Sequence, residues 1–134
     1  MECRLLLPEQ EPLVSREKIF AFFCTPIGRK LASGATCIRE FKFSILDDAS
    51  GYGDGLQGEK VLLQGVVDCA LLDDDGITVI DFKTDRATEQ TVSELVRRYS
   101  VQVNTYCEAL SRIYGMPVKN AYIYFFSLDR FESV

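Results

Sequence analysis

Asp68, Asp81 and Lys83 are the residues of this chain best placed to do chemistry together. The run Leu62-Leu63-Gln64-Gly65-Val66-Val67-Asp68-Cys69-Ala70-Leu71-Leu72 and the run Ile77-Thr78-Val79-Ile80-Asp81-Phe82-Lys83 both read as strands, and the polar Asp73-Asp74-Asp75-Gly76 between them reads as a hairpin turn. With those residues as the loop and no bulge intervening, Leu72 pairs with Ile77 and Asp68 falls opposite Asp81. Directly opposed Cβ atoms stand roughly 4.5–5.5 Å apart, where like charges repel unless something neutralises them. Strand alternation puts the Lys83 ammonium on the same side as Asp81. Plain surface charge on a half-solvated hairpin would be the simpler account, but it does not explain Asp81. That residue lies among Val79, Ile80 and Phe82, apolar on both faces. Aspartate suits a strand interior poorly, and a buried carboxylate is costly without a partner or a metal.

Two converging carboxylates with an amine alongside suit Mg²⁺ or Mn²⁺, which prefer hard oxygen ligands and keep several waters. A cation held this way acidifies and orients water and offsets charge building on a phosphate during in-line displacement. Lys83 would hold the attacking water or stabilise the anionic transition state. The reaction class these residues point to is phosphodiester hydrolysis. The backbone carbonyl of Phe82, between two site residues, is a further candidate metal ligand.

The elements that must position these groups follow from spacing. Ser15 before Arg16-Glu17-Lys18 reads as a capped helix start, continued by Ile19, Phe20, Phe23, Ile27 and Leu31; Pro26 interrupts that helix near Thr25, and Gly34 ends it. Thr36 to Ile45 shows partial alternation and reads as a strand with Ile38, Phe41, Phe43 and Ile45 apolar. Asp47 to Glu59 carries four glycines among acidic residues. It lacks the Gly-Lys-Ser/Thr ending of a phosphate-binding loop and reads as a connection between strands. Thr91-Val92-Ser93-Glu94 matches a capping box. It opens a long helix with Val96, Tyr99, Val103, Tyr106, Leu110 and Ile113 on one stripe, stopped at Gly115 with Pro117 beyond. Lys119 to Phe126 reads as a buried strand lying parallel to Ile77–Lys83, as a strand, helix, strand order implies. The predicted order is helix, strand, strand, strand, helix, strand in a single domain. On the long helix Gln102 and Tyr106 share a face. Packing alone would account for Tyr106, while Gln102 lies at the stripe's margin, where its amide can reach the site.

The totals narrow the field. A chain of 134 residues, 47% hydrophobic and 26% charged, has the composition of one soluble globular domain with a real core. It holds no apolar run long enough to span a bilayer, and Met1 to Pro8 is too short and too acidic for a signal peptide. The five cysteines, Cys3, Cys24, Cys37, Cys69 and Cys107, have no metal-binding spacing. They read as small core residues in a reducing cytoplasm. A net charge of −5 argues against a stand-alone nucleic-acid binder, so affinity for DNA should come mainly from other domains. The absence of histidine removes the commonest general base and every His-activated nucleophile.

Gly65-Val66-Val67-Asp68, Asp81-Phe82-Lys83-Thr84-Asp85, Tyr99-Ser100-Val101-Gln102-Val103-Asn104-Thr105-Tyr106 and Tyr122-Ile123-Tyr124-Phe125-Phe126, in that order, resemble the RecB-like nuclease branch of the PD-(D/E)XK superfamily. Within it they are most similar to the carboxy-terminal nuclease domains of AddA helicase-nucleases. Ile19 to Leu31 and Arg39-Glu40-Phe41-Lys42-Phe43 extend the likeness, which runs from about Ser15 to Phe126. It implies an α/β, restriction-endonuclease-like core with a central mixed sheet flanked by helices. It also implies Mg²⁺-dependent cleavage of DNA, chiefly single-stranded, in double-strand break repair and recombination, beside an AddB-like partner subunit in the bacterial cytoplasm, with no membrane. On the matching positions Asp68 and Asp81 become metal ligands, Lys83 the catalytic lysine, and Gln102 with Tyr106 the pair that positions substrate.

This branch places a histidine metal ligand on an earlier helix. Either that helix lies upstream of this segment or the metal sphere lacks it. The ATP-binding loop and helicase motifs of AddA are likewise absent, so the chain reads as a C-terminal fragment of a larger helicase-nuclease. Glu40 offers another carboxylate, though a solvated strand residue needs no such role. A catalytically silent nuclease-fold module that binds DNA or docks a partner is the alternative. Intact Asp68, Asp81 and Lys83 favour the enzyme.

Overall fold

The computed structural model describes residues 15–134. Cys3 and the Met1–Pro8 segment lie outside the described residues. Helix α1 (Arg16–Cys24) starts under Ser15, whose Oγ accepts the Lys18 N–H at 3.3 Å. Pro26 divides the helix as expected and opens α2 (Pro26–Ala32), where its missing N–H costs nothing. Thr25 makes the corner: its hydroxyl donates to the Phe22 carbonyl at 2.6 Å and accepts the Gly28 N–H at 3.0 Å. A Cβ at Gly28 would stand 2.1 Å from that same carbonyl, so only glycine lets the two helices meet this closely.

Five strands form one sheet in the order β1 (Cys37–Asp48), β2 (Lys60–Asp73), β3 (Gly76–Lys83), β4 (Val118–Phe125) and β5 (Arg130–Ser133). Neighbours are antiparallel except β3 and β4, which run parallel on either side of helix α3 (Val92–Tyr114) in the chain. This is the expected mixed α/β sheet flanked by helices. It has two helices ahead of β1 and one strand, β5, beyond the predicted order. β5 is short and largely polar, so no apolar run announced it.

The β2–β3 register is the predicted one, with Leu72 opposite Ile77. The turn is tighter than predicted: Asp73 and Gly76 still pair, leaving Asp74 and Asp75 at the tip. Asp73 and Asp75 are held by lysines. Lys30 reaches Asp73 at 2.6 Å, and Lys119 reaches Asp73 at 2.8 Å and Asp75 at 2.7 Å, tying α2, the hairpin and β4 together. Asp47 and Asp48 belong to β1 rather than to a free connection. Asp47 pairs with Arg112 of α3 at 2.8 Å and accepts the Tyr52 hydroxyl at 3.2 Å.

The sheet carries a core on each face. Under α3 lie Phe43, Val67, Ala70, Ile77, Val79, Val103, Tyr106, Leu110, Ile123 and Phe125. Under α1 and α2 lie Phe22, Leu31, Cys69, Leu71, Ile80 and Tyr124, with the Phe22 and Tyr124 rings edge to face at 5.0 Å. β3 is therefore buried on both sides, which is why it reads as a nearly continuous apolar run. Ile113 is exposed and leaves the stripe, its expected place on the core side taken by Tyr114. Cys24 is exposed too, against the expectation of core cysteines; Cys69 is buried as expected. The capping box does not form. Thr91 is already helical in backbone and its hydroxyl accepts the Thr88 N–H at 2.9 Å, one turn outside the helix.

One irregularity explains the partial alternation of the first strand. Ile38 and Phe41 pack on the α3 side, as do Ala70 and Val67, although residues three apart in a regular strand face opposite ways. Both strands therefore slip phase together, between the pairs Arg39–Cys69 and Phe41–Val67. Glu40 takes the slip with a positive φ of 47°, a left-handed backbone that costs a non-glycine residue about 1–2 kcal/mol. Asp68 faces it, unpaired in the ladder.

Gly28→Ala should lower the thermal midpoint by roughly 5–15 °C through the forced opening of the α1–α2 corner. A circular dichroism melt within a degree or two of the parent would contradict that.

Candidate active site

Asp68 is set by the break in β2, and Asp81 and Lys83 by the end of β3. The β2–β3 ladder stops at Cys69–Ile80, one step before the two aspartates would pair. There the Phe82 N–H turns to a side chain instead, donating to Asp68 Oδ2 at 2.9 Å. In an extended strand the N–H and C=O of one residue point to the same edge, so the Phe82 carbonyl also faces the β2 side, past the last pair of that ladder.

Asp81 is 3% exposed. Lys83 Nζ approaches its Oδ2 at 2.8 Å as an ion pair, and no other side chain or backbone group donates to this buried oxygen. Burial pushes the Asp81 carboxyl above its ordinary range, Lys83 opposes the rise, and the nearby Asp68 carboxylate adds to it. Burial draws the Lys83 ammonium down, but the Asp81 carboxylate outweighs it and holds its pKa above the usual lysine value. The Asp68 and Asp81 carboxylates thus come close to one another, with the Lys83 ammonium beside Asp81.

Helix α3 brings up the remaining groups. Gln102 Oε1 accepts from Lys83 Nζ at 3.4 Å. Tyr106 is buried against Phe43, ring centroids 5.9 Å apart at 79°. Burial raises its phenol pKa, and the Asp81 and Asp68 charges add to the effect. All five side chains singled out in the sequence therefore gather in one place. Glu40 is exposed on the strand slip.

Three residues beyond that set shape the site. Gly65 makes room for it: a Cβ there would meet the Phe43 ring at 2.8 Å and the Tyr106 ring at 2.9 Å. A glycine inside a strand pattern signals such a close approach. Tyr99 and Asp85 pack beside Lys83, with the Tyr99 hydroxyl 3.0 Å from Asp85 Oδ1. Both lie within stretches that carry the family resemblance, but no spacing rule gives either a role, since Tyr99 also fits the helix stripe.

Among the described residues no group of three or more Asp, Glu, Cys or His side chains comes together as a metal cage. The donor set does fit a hard divalent cation as far as it goes: two facing carboxylates, one buried oxygen without a donor, and a backbone carbonyl on the same edge.

A family model described as the PD-(D/E)XK nuclease superfamily matches residues 7–133. The chain belongs to that superfamily. Within this PD-(D/E)XK group it is similar to proteins named as the A-type subunits of ATP-dependent helicase/nucleases. It is 41% identical to that of Pelotomaculum thermopropionicum over 125 residues, 91% of this chain and 10% of the relative. The Alkaliphilus oremlandii protein is 35% identical over 94% of the chain and 11% of its own length. For Geobacillus thermodenitrificans the figures are 37%, 100% and 12%. This PD-(D/E)XK chain thus spans about a tenth of the length of the curated relatives it matches. The superfamily's restriction-endonuclease-like core is the mixed sheet found here.

Gly65→Ala should displace the Tyr106 ring and cost about 1–3 kcal/mol of stability. Urea denaturation with an unchanged midpoint would show that the rings can retreat freely.

Proposed function

We propose that this chain is the metal-dependent DNA-cleaving module of a longer helicase-nuclease, hydrolysing phosphodiester bonds during double-strand break repair and recombination. The observation that carries the reading is the convergence of Asp68 and a buried, donor-poor Asp81 beside Lys83. Asp68, Asp81 and the Phe82 carbonyl would hold Mg²⁺, or Mn²⁺ in its place. When bound, the cation supplies charge neutralisation at the phosphate and acidifies water. Lys83, kept protonated by Asp81, orients the attacking water and stabilises the negative charge of the transition state. Gln102 steadies the ammonium from the helix side, and Tyr106 closes the floor against solvent from the core.

The rest of the assignment follows the chemistry and the relatives. With a net charge of −5 the module does not carry its own phosphate-binding surface, so DNA, chiefly single-stranded, is delivered by the remainder of the longer protein. ATP is used there and not here. A partner of the AddB kind and a bacterial cytoplasmic setting complete the reading. Among the described residues no helix is long and apolar enough to cross a membrane.

A second reading, a silent nuclease fold that holds DNA or a partner, is favoured by the absence, among the described residues, of any group of three or more side chains able to hold a metal. Metal binding separates the two readings. Titration of the chain with Mg²⁺ or Mn²⁺ should raise its melting temperature, and Asp81→Asn should abolish that rise, because the cation relieves repulsion between the two acids. No metal response in the parent chain would favour the silent module.

In the longer protein Asp81→Ala should abolish divalent-metal-dependent cleavage of single-stranded DNA, a loss of at least about a thousandfold. ATP hydrolysis should persist. Digestion at the parental rate would remove Asp81 from the chemistry.

A further inference from the structure

We propose that Tyr99 is a positioning residue for Lys83, holding its ammonium against the ring face while Asp85 locks the ring in place. Lys83 Nζ lies 4.3 Å from the Tyr99 ring centroid. The Tyr99 hydroxyl donates to both carboxylate oxygens of Asp85, at 3.0 and 3.1 Å. Asp85 follows Lys83 just past the end of β3, and Tyr99 comes from the first half of α3, so the brace joins strand end to helix.

The need for it follows from the lysine itself. Its ammonium is a compact charge on a flexible four-carbon stem. Asp81 alone, at 2.8 Å, would draw that charge down onto the acid, and Gln102 at 3.4 Å is exposed and holds it weakly. The face of an aromatic ring attracts a cation without offering a proton acceptor or a counter-charge. Tyr99 therefore fixes where Nζ stands without adding a further acceptor that would compete with a phosphate for its hydrogen atoms. The ring is half-buried against the α3-side core, and its hydroxyl is spent on Asp85, so it cannot swing away. The Arg98 guanidinium stands farther off, 5.9 Å from the centroid of the same ring.

This role rests on the nuclease reading for its purpose but not for its geometry, and the test separates the two. In the full chain, the Lys83 side-chain protons should be shifted upfield by the ring current in the NMR spectrum. Tyr99→Leu should abolish that shift, Tyr99→Phe should retain most of it, and Asp85→Ala should reduce it as the ring loosens. In the longer protein Tyr99→Leu should lower kcat about tenfold with KM within about twofold, and Tyr99→Phe should restore much of the loss. Lys83 resonances identical in the parent and Tyr99→Leu would overturn the proposal. So would equal kcat in the Leu and Phe variants beside an active parent. Should Tyr99→Leu fail to fold, an unchanged Lys83 shift in Asp85→Ala would overturn it instead. An upfield Lys83 shift in a chain that no metal makes active would keep the brace and sink the nuclease reading.

Discussion

The constraint on which the rest of the molecule turns is a carboxylate at the end of a strand that is buried on both faces. Asp81 is nearly inaccessible, yet it faces a second acid, and one of its oxygens has no donor. Left alone, this would be among the costlier arrangements a small domain could adopt. The surroundings reduce the cost in pieces: a lysine at ion-pair distance, a backbone N–H assigned to Asp68 in place of its ladder partner, and an aromatic floor that keeps the dielectric low without adding charge. What remains uncompensated is what a cation would take up.

That local demand reaches outward into the sheet. The phase slip shared by β1 and β2 releases Asp68 from the ladder, and its cost appears as the left-handed backbone of Glu40. Strain of this sort persists only where the surrounding structure over-determines it. Here the flanking residues Ile38 and Phe41 anchor it in the α3-side core. The tight corner at Thr25 and Gly28 is what brings Phe22 onto the rings of Phe82 and Tyr124.

Much of this was legible because it is written in local periodicity. The β2–β3 register follows from two apolar runs and the turn between them, and Leu72 opposite Ile77 places Asp68 near Asp81 whatever the turn type. The helix break at Pro26 and the stop at Gly115, which adopts a φ of 63°, follow from single-residue backbone chemistry. The parts that escaped depend on contacts between elements distant in sequence. The strand slip appears in the sequence only as the odd spacing of Ile38 and Phe41. Thr91 fits a capping pattern, yet Thr88 offers its hydroxyl a nearer donor. Tyr99 looks like one more core residue until the helix is laid beside Lys83 and Asp85.

Both acids and the lysine ride on one hairpin whose tip is two residues long and whose three ionic ties to lysines of α2 and β4 hold it to its neighbours. The hairpin works as a calliper: its short tip and ionic ties set how its two strands stand, while the slip shared with β1 sets the placing of Asp68 on one jaw. Displacing the hairpin as a body would therefore carry both acids and the lysine together and leave their spacing in place.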